Sequence, residues 1–377
     1  MTDMTEKNYL TVHSLTPLPW HNLNRDDRGL PKQVREGGKA RGRLSSQSLK
    51  RAIRVAYELD SFADGTGSLR SRDLHTEIVR RATLIAEKSG TSFDPKDAMK
   101  TAAKVVKSLT ANDKDTPEAE NSETAAGDTI TWLSGDEIDA LASAVASGGG
   151  PISAVGIIQS RTGSLSIAAF GRMFAAHSDL QTEAAIAVGP ATTTHPITVE
   201  VDYFTTVDDL KEDGAGHLGQ AFYTSGVYYR SVTIDRKQLK DSWTGWDSPD
   251  ADARLTLLVR SLINALPTGK DNSSAPNTKP AFIVAEVQAH RTAYEFHEPV
   301  TADTDGGYLA GSISRLAGQA AAARDYDPTE FGQTIVSGTT VASDAVVTSA
   351  GVVPIAFEHS TTNLPQLVEQ VVAWLRK

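Results

Sequence analysis

The 377-residue chain contains no cysteine. That absence removes disulfides, thiolate zinc sites, iron–sulfur clusters and cysteine nucleophiles together. No apolar run approaches the ~18–20 residues that a membrane-spanning helix needs. The opening MTDMTEKN lacks the basic and apolar regions of a secretory signal, so a cytoplasmic protein is expected. Positive charge is in the minority: 37 Lys and Arg against 47 Asp and Glu leave a net charge of −10. An acidic average of this size argues against a generic nucleic-acid coat. What remains is ordinary for a soluble globular chain of two or three domains, with 40% hydrophobic and 22% charged residues.

The average conceals one segment. Residues 21–54 hold ten basic residues (Arg25, Arg28, Lys32, Arg35, Lys39, Arg41, Arg43, Lys50, Arg51 and Arg54) against only Asp26, Asp27 and Glu36. A basic island on an acidic body suits one face that meets a polyanion while the others stay solvated.

Along the chain, Tyr9 to Leu15 alternates as a half-buried strand does, and Pro17 and Pro19 are expected to stop it. A long polar loop is then expected from Asn22 to Arg43, with turn signals at Gly29-Leu30-Pro31 and Gly37-Gly38. Ser45-Ser46 opens a helix to about Leu59, with Leu49 and Ile53 on its core stripe. Residues 70–158 read as mostly helical. Leu74, Ile78, Ala82 and Ile85 share a face, Asp94-Pro95 caps a second helix, and Ser134 to Glu137 forms a capping box. The acidic stretch 110–128 reads as a flexible insertion. Beyond it, Leu165–Phe174, Ile197–Phe204, Val227–Ile234 and Phe282–Ala289 are expected as strands, and Arg254–Leu266, Leu309–Ala323 and Leu364–Leu375 as helices. The order predicts an α+β sandwich with an inserted helical lobe.

Enzyme signatures are scarce. Pro267-Thr268-Gly269-Lys270 fails the phosphate-loop pattern because Asn264 stands at the first glycine position and Asp271 follows the lysine. Asp202, Asp208, Asp209, Asp213 and His217 fall close together, but turn acids in solvent explain them, and no metal or other cofactor is expected. The stronger constellation is N-L-N-R-D-D…G-G-K-A-R-G-R-L-S-S-Q-S-L-K-R-A-I-R, residues 22–54. Ser45 and Ser46 sit at a helix start, where free N–H groups and hydroxyls favour phosphate. Gln47, Lys50 and Arg54 follow on one helix face, a surface that grips a sugar–phosphate backbone without reading bases. Residues 192–230 suggest a long hairpin with an acidic tip. Its Tyr203, Phe204, Leu218, Phe222 and Tyr223 are too apolar for a plain solvent loop, so they pack on a partner, stack on bases or belong to a core.

The block N-R-D-D…G-G…R-x-R-L-S-S-Q-S-L-K-R-A-I-R resembles the signature of the CasC family, the backbone subunit of the type I-E CRISPR Cascade. V-D-Y-F-T-T-V-D-D-L…G-A-G-H-L-G-Q-A…S-G-V-Y-Y-R is similar to the same family's thumb, and Ser166-Ile167-Ala168…Gly171-Arg172-Met173 to its third motif. The resemblance implies a right hand: an RRM-like (ferredoxin-like) palm, inserted helical fingers and a β-hairpin thumb. On this sequence that gives palm at 1–59, fingers at 60–160, palm at 161–191, thumb at 192–228 and palm at 229–377. It implies a non-catalytic subunit that polymerises head-to-tail along CRISPR RNA and presents it to target DNA, beside large, small, end-capping and processing subunits. RNA would be held by Arg25, Lys32, Lys39, Arg41, Arg43, Ser45, Ser46, Gln47, Lys50, Arg51, Arg54 and Arg172. Met173, Phe204, Thr205 and Leu218 would wedge around a displaced nucleotide, indifferent to the base. Val188-Gly189-Pro190-Ala191 departs from the family's more helix-friendly stretch, so Pro190 is expected to end a helix early.

Two enzymatic alternatives stand beside this. A type III-like backbone subunit would cleave RNA with Asp26, Asp27 or Asp209, and a processing endoribonuclease would use His13 or His21 as base. Separately, Lys96, Lys100, Lys104 and Lys107 form a stripe opposite the Ala98–Val105 face and are candidate contacts for target-DNA phosphates.

Overall fold

The structure is a computed structural model that describes residues 6–61, 67–91, 94–110, 130–148, 152–174, 176–207, 215–342 and 345–377. The chain opens with β1 (Tyr9–His21), β2 (Gln33–Glu36), β3 (Lys39–Leu44) and α1 (Ser46–Ser61). Then come β4 (Ser68–Ser71), α2 (Leu74–Ser89), α3 (Pro95–Ser108), β5 (Thr131–Ser134), α4 (Gly135–Ala146) and α5 (Leu165–Phe170). Next are β6 (Ile186–Val188), β7 (Ala191–Thr193), β8 (Glu200–Val207) and β9 (Ala215–Asp235). They lead to α6 (Arg236–Ser242), α7 (Ala251–Asn264), α8 (Asp271–Ser274), β10 (Phe282–Gln288) and α9 (Leu309–Tyr326). The last elements are β11 (Phe331–Ser337), β12 (Val341–Ala342), β13 (Ala345–Thr348), β14 (Gly351–Pro354), β15 (Ser360–Thr361) and α10 (Leu364–Leu375). They form two compact units, one of Met1–Ala56, Ala187–Asp235 and Leu255–Lys377, the other of Tyr57–Ile186 and Arg236–Arg254.

The first unit is built on a mixed sheet ordered β15-β11-β10-β1-β9-β7-β3-β2, with β6 and β8 also paired to β9. β1 lies between β10 and β9, antiparallel to both. Alternation therefore decides what each face receives. Leu10 and Val12 are buried on one side; Thr11, His13 and Leu15 are buried on the other. Leu15 joins Phe282, Val284, Ile313, Leu316, Ala320 and Val336 in an apolar core between sheet and α9. Beside that core, Glu286 accepts hydrogen bonds from His13, Tyr294, Gln288 and Arg324 at 2.7–3.1 Å. Arg230 faces the opposite side and donates to Ile263 O and Ala265 O, satisfying carbonyls at the end of α7.

The second unit buries Leu74, Ile78 and Ala82 of α2 with Ala98, Ala102 and Val105 of α3 and Ile138 and Leu141 of α4. The expected caps hold. Asp94 accepts from Lys96 N with Pro95 at the first helical position, and Ser134 and Glu137 bond reciprocally. Among the described residues no helix is long and apolar enough to cross a membrane.

Four local expectations are corrected. The loop expected from Asn22 to Arg43 contains the hairpin β2–β3, whose register puts Glu36 opposite Lys39 around Gly37 and Gly38, both at positive φ. β1 runs past its prolines to His21. Beyond Leu15 it has lost β10 and pairs only with β9, so Pro17 needs no donor on its open side. Leu165–Phe170 is a helix, not a strand, capped by Ser164 and ended by Gly171 at positive φ; a short run buried from Leu165 to Ala169 carries neither period. No helix precedes Pro190, since Ile186–Val188 is a strand. Residues 111–128 of the acidic insertion lie outside the described residues.

Candidate nucleic-acid interface

The basic segment folds as three consecutive pieces of the first unit. The first is a tight turn. Asp26 Oδ1 accepts from Arg28 N and Leu30 N at 2.9 Å, and Arg25 bridges Pro31. Asp26 is thereby a turn-forming acid. The second piece is the β2–β3 hairpin, bonded to the turn through Arg43 N to Lys32 O at 2.8 Å. The third is the start of α1. Ser45 caps it by accepting from Ser48 N, and its own N–H donates to Asn24 Oδ1 at 2.8 Å. The helix start is thus hydrogen-bonded to the turn.

On α1, Leu49 and Ile53 are buried. At 100° per residue, Gln47, Lys50, Arg51 and Arg54 fall within about 100° of arc on the opposite face. Gln47 and Arg51 are exposed, and Lys50 and Arg54 half-buried. Arg25 and Lys39 are also exposed, and Lys32, Arg43 and Ser46 are half-buried. These nine side chains, seven of them cationic and the other two at the start of α1, are at least partly open to solvent.

Two residues expected in that set have other work. Arg41 is fully buried and donates to Thr193 O at 2.8 Å, Phe296 O at 2.8 Å and His297 O at 3.2 Å. Arg172 is buried in the second unit, 2.5 Å from Glu137 Oε2, and donates to Gln159 O at 3.0 Å. Both guanidiniums are turned inward onto backbone and carboxylate, so neither offers a face to RNA. Ser45 is nearly closed off and acts as the helix cap. Met173, beside Arg172, is 79% exposed.

The expected hairpin is present: Glu200–Val207 pairs with β9 from Ala215 to Tyr223. Alternation sorts its side chains. Thr205 pairs with Leu218, Tyr203 with Gln220 and Val201 with Phe222, all on one face. Phe204, opposite Gly219, is on the other, its ring lying so close that a Cβ on Gly219 would overlap it. Tyr203 and Leu218 are 67% and 65% exposed, Phe204 46%. A nucleotide touching Thr205 and Leu218 therefore meets Tyr203, whereas one touching Phe204 is on the opposite side. Phe204 and the Thr205–Leu218 pair thus present opposite faces of the hairpin.

Among the described residues, the candidate acids and bases are not brought together. His13 is buried between Tyr229 and Glu286, and His21, also buried, has its pKa lowered to about 4 by desolvation. Among the described residues no three His, Asp or Glu side chains are grouped to hold a metal. The side chains of Asp208, Asp209, Asp213 and His217 lie outside that set.

An α+β chain with this large sheet matches chains of two solved assemblies. One, a "CRISPR RNA-guided surveillance complex, pre-nicking", aligns at TM-score 0.77 and 28% identity over 97% of this chain and all of that one. The other, a "CRISPR RNA-guided surveillance complex", aligns at TM-score 0.69 and 23% identity over 97% and 99%. No curated protein sequence matches. The CT1975-like protein family profile matches residues 10–369. The chain belongs to the CT1975-like family.

Proposed function

We propose that this chain is the RNA-binding backbone subunit of a Cascade-like surveillance complex of the type I-E kind. It holds CRISPR RNA and presents it for pairing with target DNA, without cutting either. The observation that carries the reading is the hydrogen-bonded set of turn, β2–β3 hairpin and α1 start, which brings Arg25, Lys32, Lys39, Arg43 and the Gln47–Arg54 face together. The similarity to chains of RNA-guided complexes over 97% of the sequence supports it. In this reading the sheet unit is an RRM-like palm, the α2–α4 lobe the fingers and the β8–β9 hairpin the thumb.

Cations and hydroxyls hold phosphates without regard to sequence, and the exposed Met173, Phe204 and Leu218 offer apolar surface that accepts any base. Such indifference is what a guide holder needs, because base pairing does the reading. Copies add head-to-tail, an interface type that extends until something caps it. The α3 lysines are proposed contacts for target-DNA phosphates: Lys96, Lys100 and Lys104 are exposed and Lys107 half-buried, opposite the buried Ala98, Ala102 and Val105.

The test is to express the tagged chain in cells carrying a CRISPR array and the other complex subunits, then sequence the RNA that co-purifies. Uniform guide-sized CRISPR RNA is expected. Random cellular RNA, or none, would remove the assignment.

A further inference from the structure

β1 carries a bulge in its last turns. Leu18 pairs with Gly226 and His21 with Thr224, so Pro19 and Trp20 together oppose the single residue Ser225. A bulge of this kind re-aims a side chain out of the ladder. The side chain concerned is Trp20, stacked on Tyr223 with ring centroids 3.9 Å apart and planes at 26°. Tyr223 is 5% exposed, with Lys270 Nζ also over its ring, 5.3 Å from the centroid. The indole and the ammonium thus both approach the Tyr223 ring.

The loop bearing Lys270 is fixed by close fit. Gly269 N donates to Leu23 O at 3.2 Å, and any Cβ on Gly269 would strike that carbonyl. Lys270 itself sits at φ +51°, a conformation a side-chain-bearing residue adopts only under constraint. Trp20 is thus an indole with one ring face anchored on an immobile partner and 38% of its surface open. By strand alternation Tyr223 shares the hairpin face of Phe204. Phe204 is opposite Gly219, four residues up β9, or about 13 Å at ~3.3 Å per residue.

We infer that Trp20 is a stacking platform for one nucleobase of the bound RNA strand, at the root of the hairpin and on its Phe204 side. The inference rests on the RNA-binding reading above and adds to it a contact outside the basic segment and the hairpin. An indole face stacks on any base, so the contact preserves indifference to sequence. Pre-stacking on Tyr223 means little side-chain freedom is lost when a base arrives.

Tryptophan reports on itself here. Trp243, Trp246 and Trp374 are buried and Trp132 is half-buried with its Nε1 donating to Ser68 Oγ, so Trp20 is the one tryptophan a base can readily cover. The full-length RNA-free chain is titrated with unlabelled oligouridine for tryptophan emission, and with a labelled copy for anisotropy. The wild type should lose emission as it binds. W20F, which keeps an aromatic face, should bind nearly as well without that quench. W20L, which still covers Tyr223 but has no π face, should bind roughly tenfold more weakly while melting as the wild type does. Wild-type binding without quenching, or W20L binding at full strength, would overturn the inference and leave the RNA-binding reading standing. Absence of RNA binding by the wild type would remove both. Should W20L fail to fold, the W20F comparison alone decides.

Discussion

Arg41 gives the sharpest separation between a residue that holds RNA and one that holds the fold. It lies on the same strand face as Lys39 and Arg43, in the middle of the basic segment, yet no part of it reaches solvent. Its guanidinium satisfies the carbonyls of Thr193, Phe296 and His297. Arg41→Ala strips those carbonyls of their donor and leaves a cavity under the β2–β3 hairpin. Each buried acceptor left unsatisfied costs about 1–3 kcal/mol, so a loss of about 4 kcal/mol is a moderate expectation, the acceptors being partly able to find water. For a unit of this size ~1 kcal/mol moves the melting temperature by ~2–4 °C, which puts the shift at about 10 °C. The control is Lys39→Ala, two residues earlier and exposed. It should leave the melting curve within about 0.5 kcal/mol of wild type, while lowering RNA affinity and the steepness of its salt dependence. Calorimetric melting and oligonucleotide anisotropy on both variants complete the experiment. If Arg41→Ala melts with the wild type and loses RNA, the assignment of Arg41 to the fold is wrong.

Two further outcomes follow from the buried groups and the lysine stripe. Burial alone would raise the carboxyl pKa of Glu286, but the hydrogen bond and charge of His13, with Arg324 beside them, hold it down from 4.5 to about 2. A depressed folded pKa gives stability that is complete above the unfolded value and lost as pH falls through the folded one, here between about 4.5 and about 2, and worth about 3 kcal/mol. Glu286→Gln should flatten that acid limb in urea titrations across pH; parallel curves for variant and wild type would contradict it. Reversing Lys96, Lys100, Lys104 and Lys107 to Glu should weaken guide-directed DNA binding by the assembled complex and reduce its salt slope. An unchanged affinity and slope would return those lysines to the role of a solvated helix face.

Much of this was legible where one local rule acted alone. The α3 and α4 caps, the Leu49 and Ile53 stripe of α1 and the long apolar hairpin each carry their pattern within a few residues. The β2–β3 hairpin was hidden because Gln33-Val34-Arg35-Glu36 and Lys39-Ala40-Arg41-Gly42 read as a polar loop. The available signal was Gly37-Gly38 as a two-residue turn, both glycines at positive φ. The fates of Arg41 and Arg172 were not legible. Arg41's partners are the carbonyls of Thr193, Phe296 and His297, distant in sequence and unmarked by any motif, and Arg172's is the carboxylate of Glu137, whose capping-box motif gives no sign of a second, distant partner. A basic run in sequence thus overstates the basic surface. Similarly, Phe204 and Thr205 are neighbours in the chain and for that very reason point to opposite faces of a strand.

The central claim is that a folded cationic surface, not any base-reading group, holds a single RNA strand. Its most direct measurement is the affinity of the wild type and of K50E/R51E for ribo-oligonucleotides of equal length and unrelated sequence, across a range of salt. The account predicts near-equal wild-type affinities for all sequences. It also predicts a log–log salt slope shallower in the double variant by at least about 1.4, or ~0.7 for each lost phosphate contact. Affinity that follows the base sequence, or a double variant with wild-type affinity and slope, would contradict it.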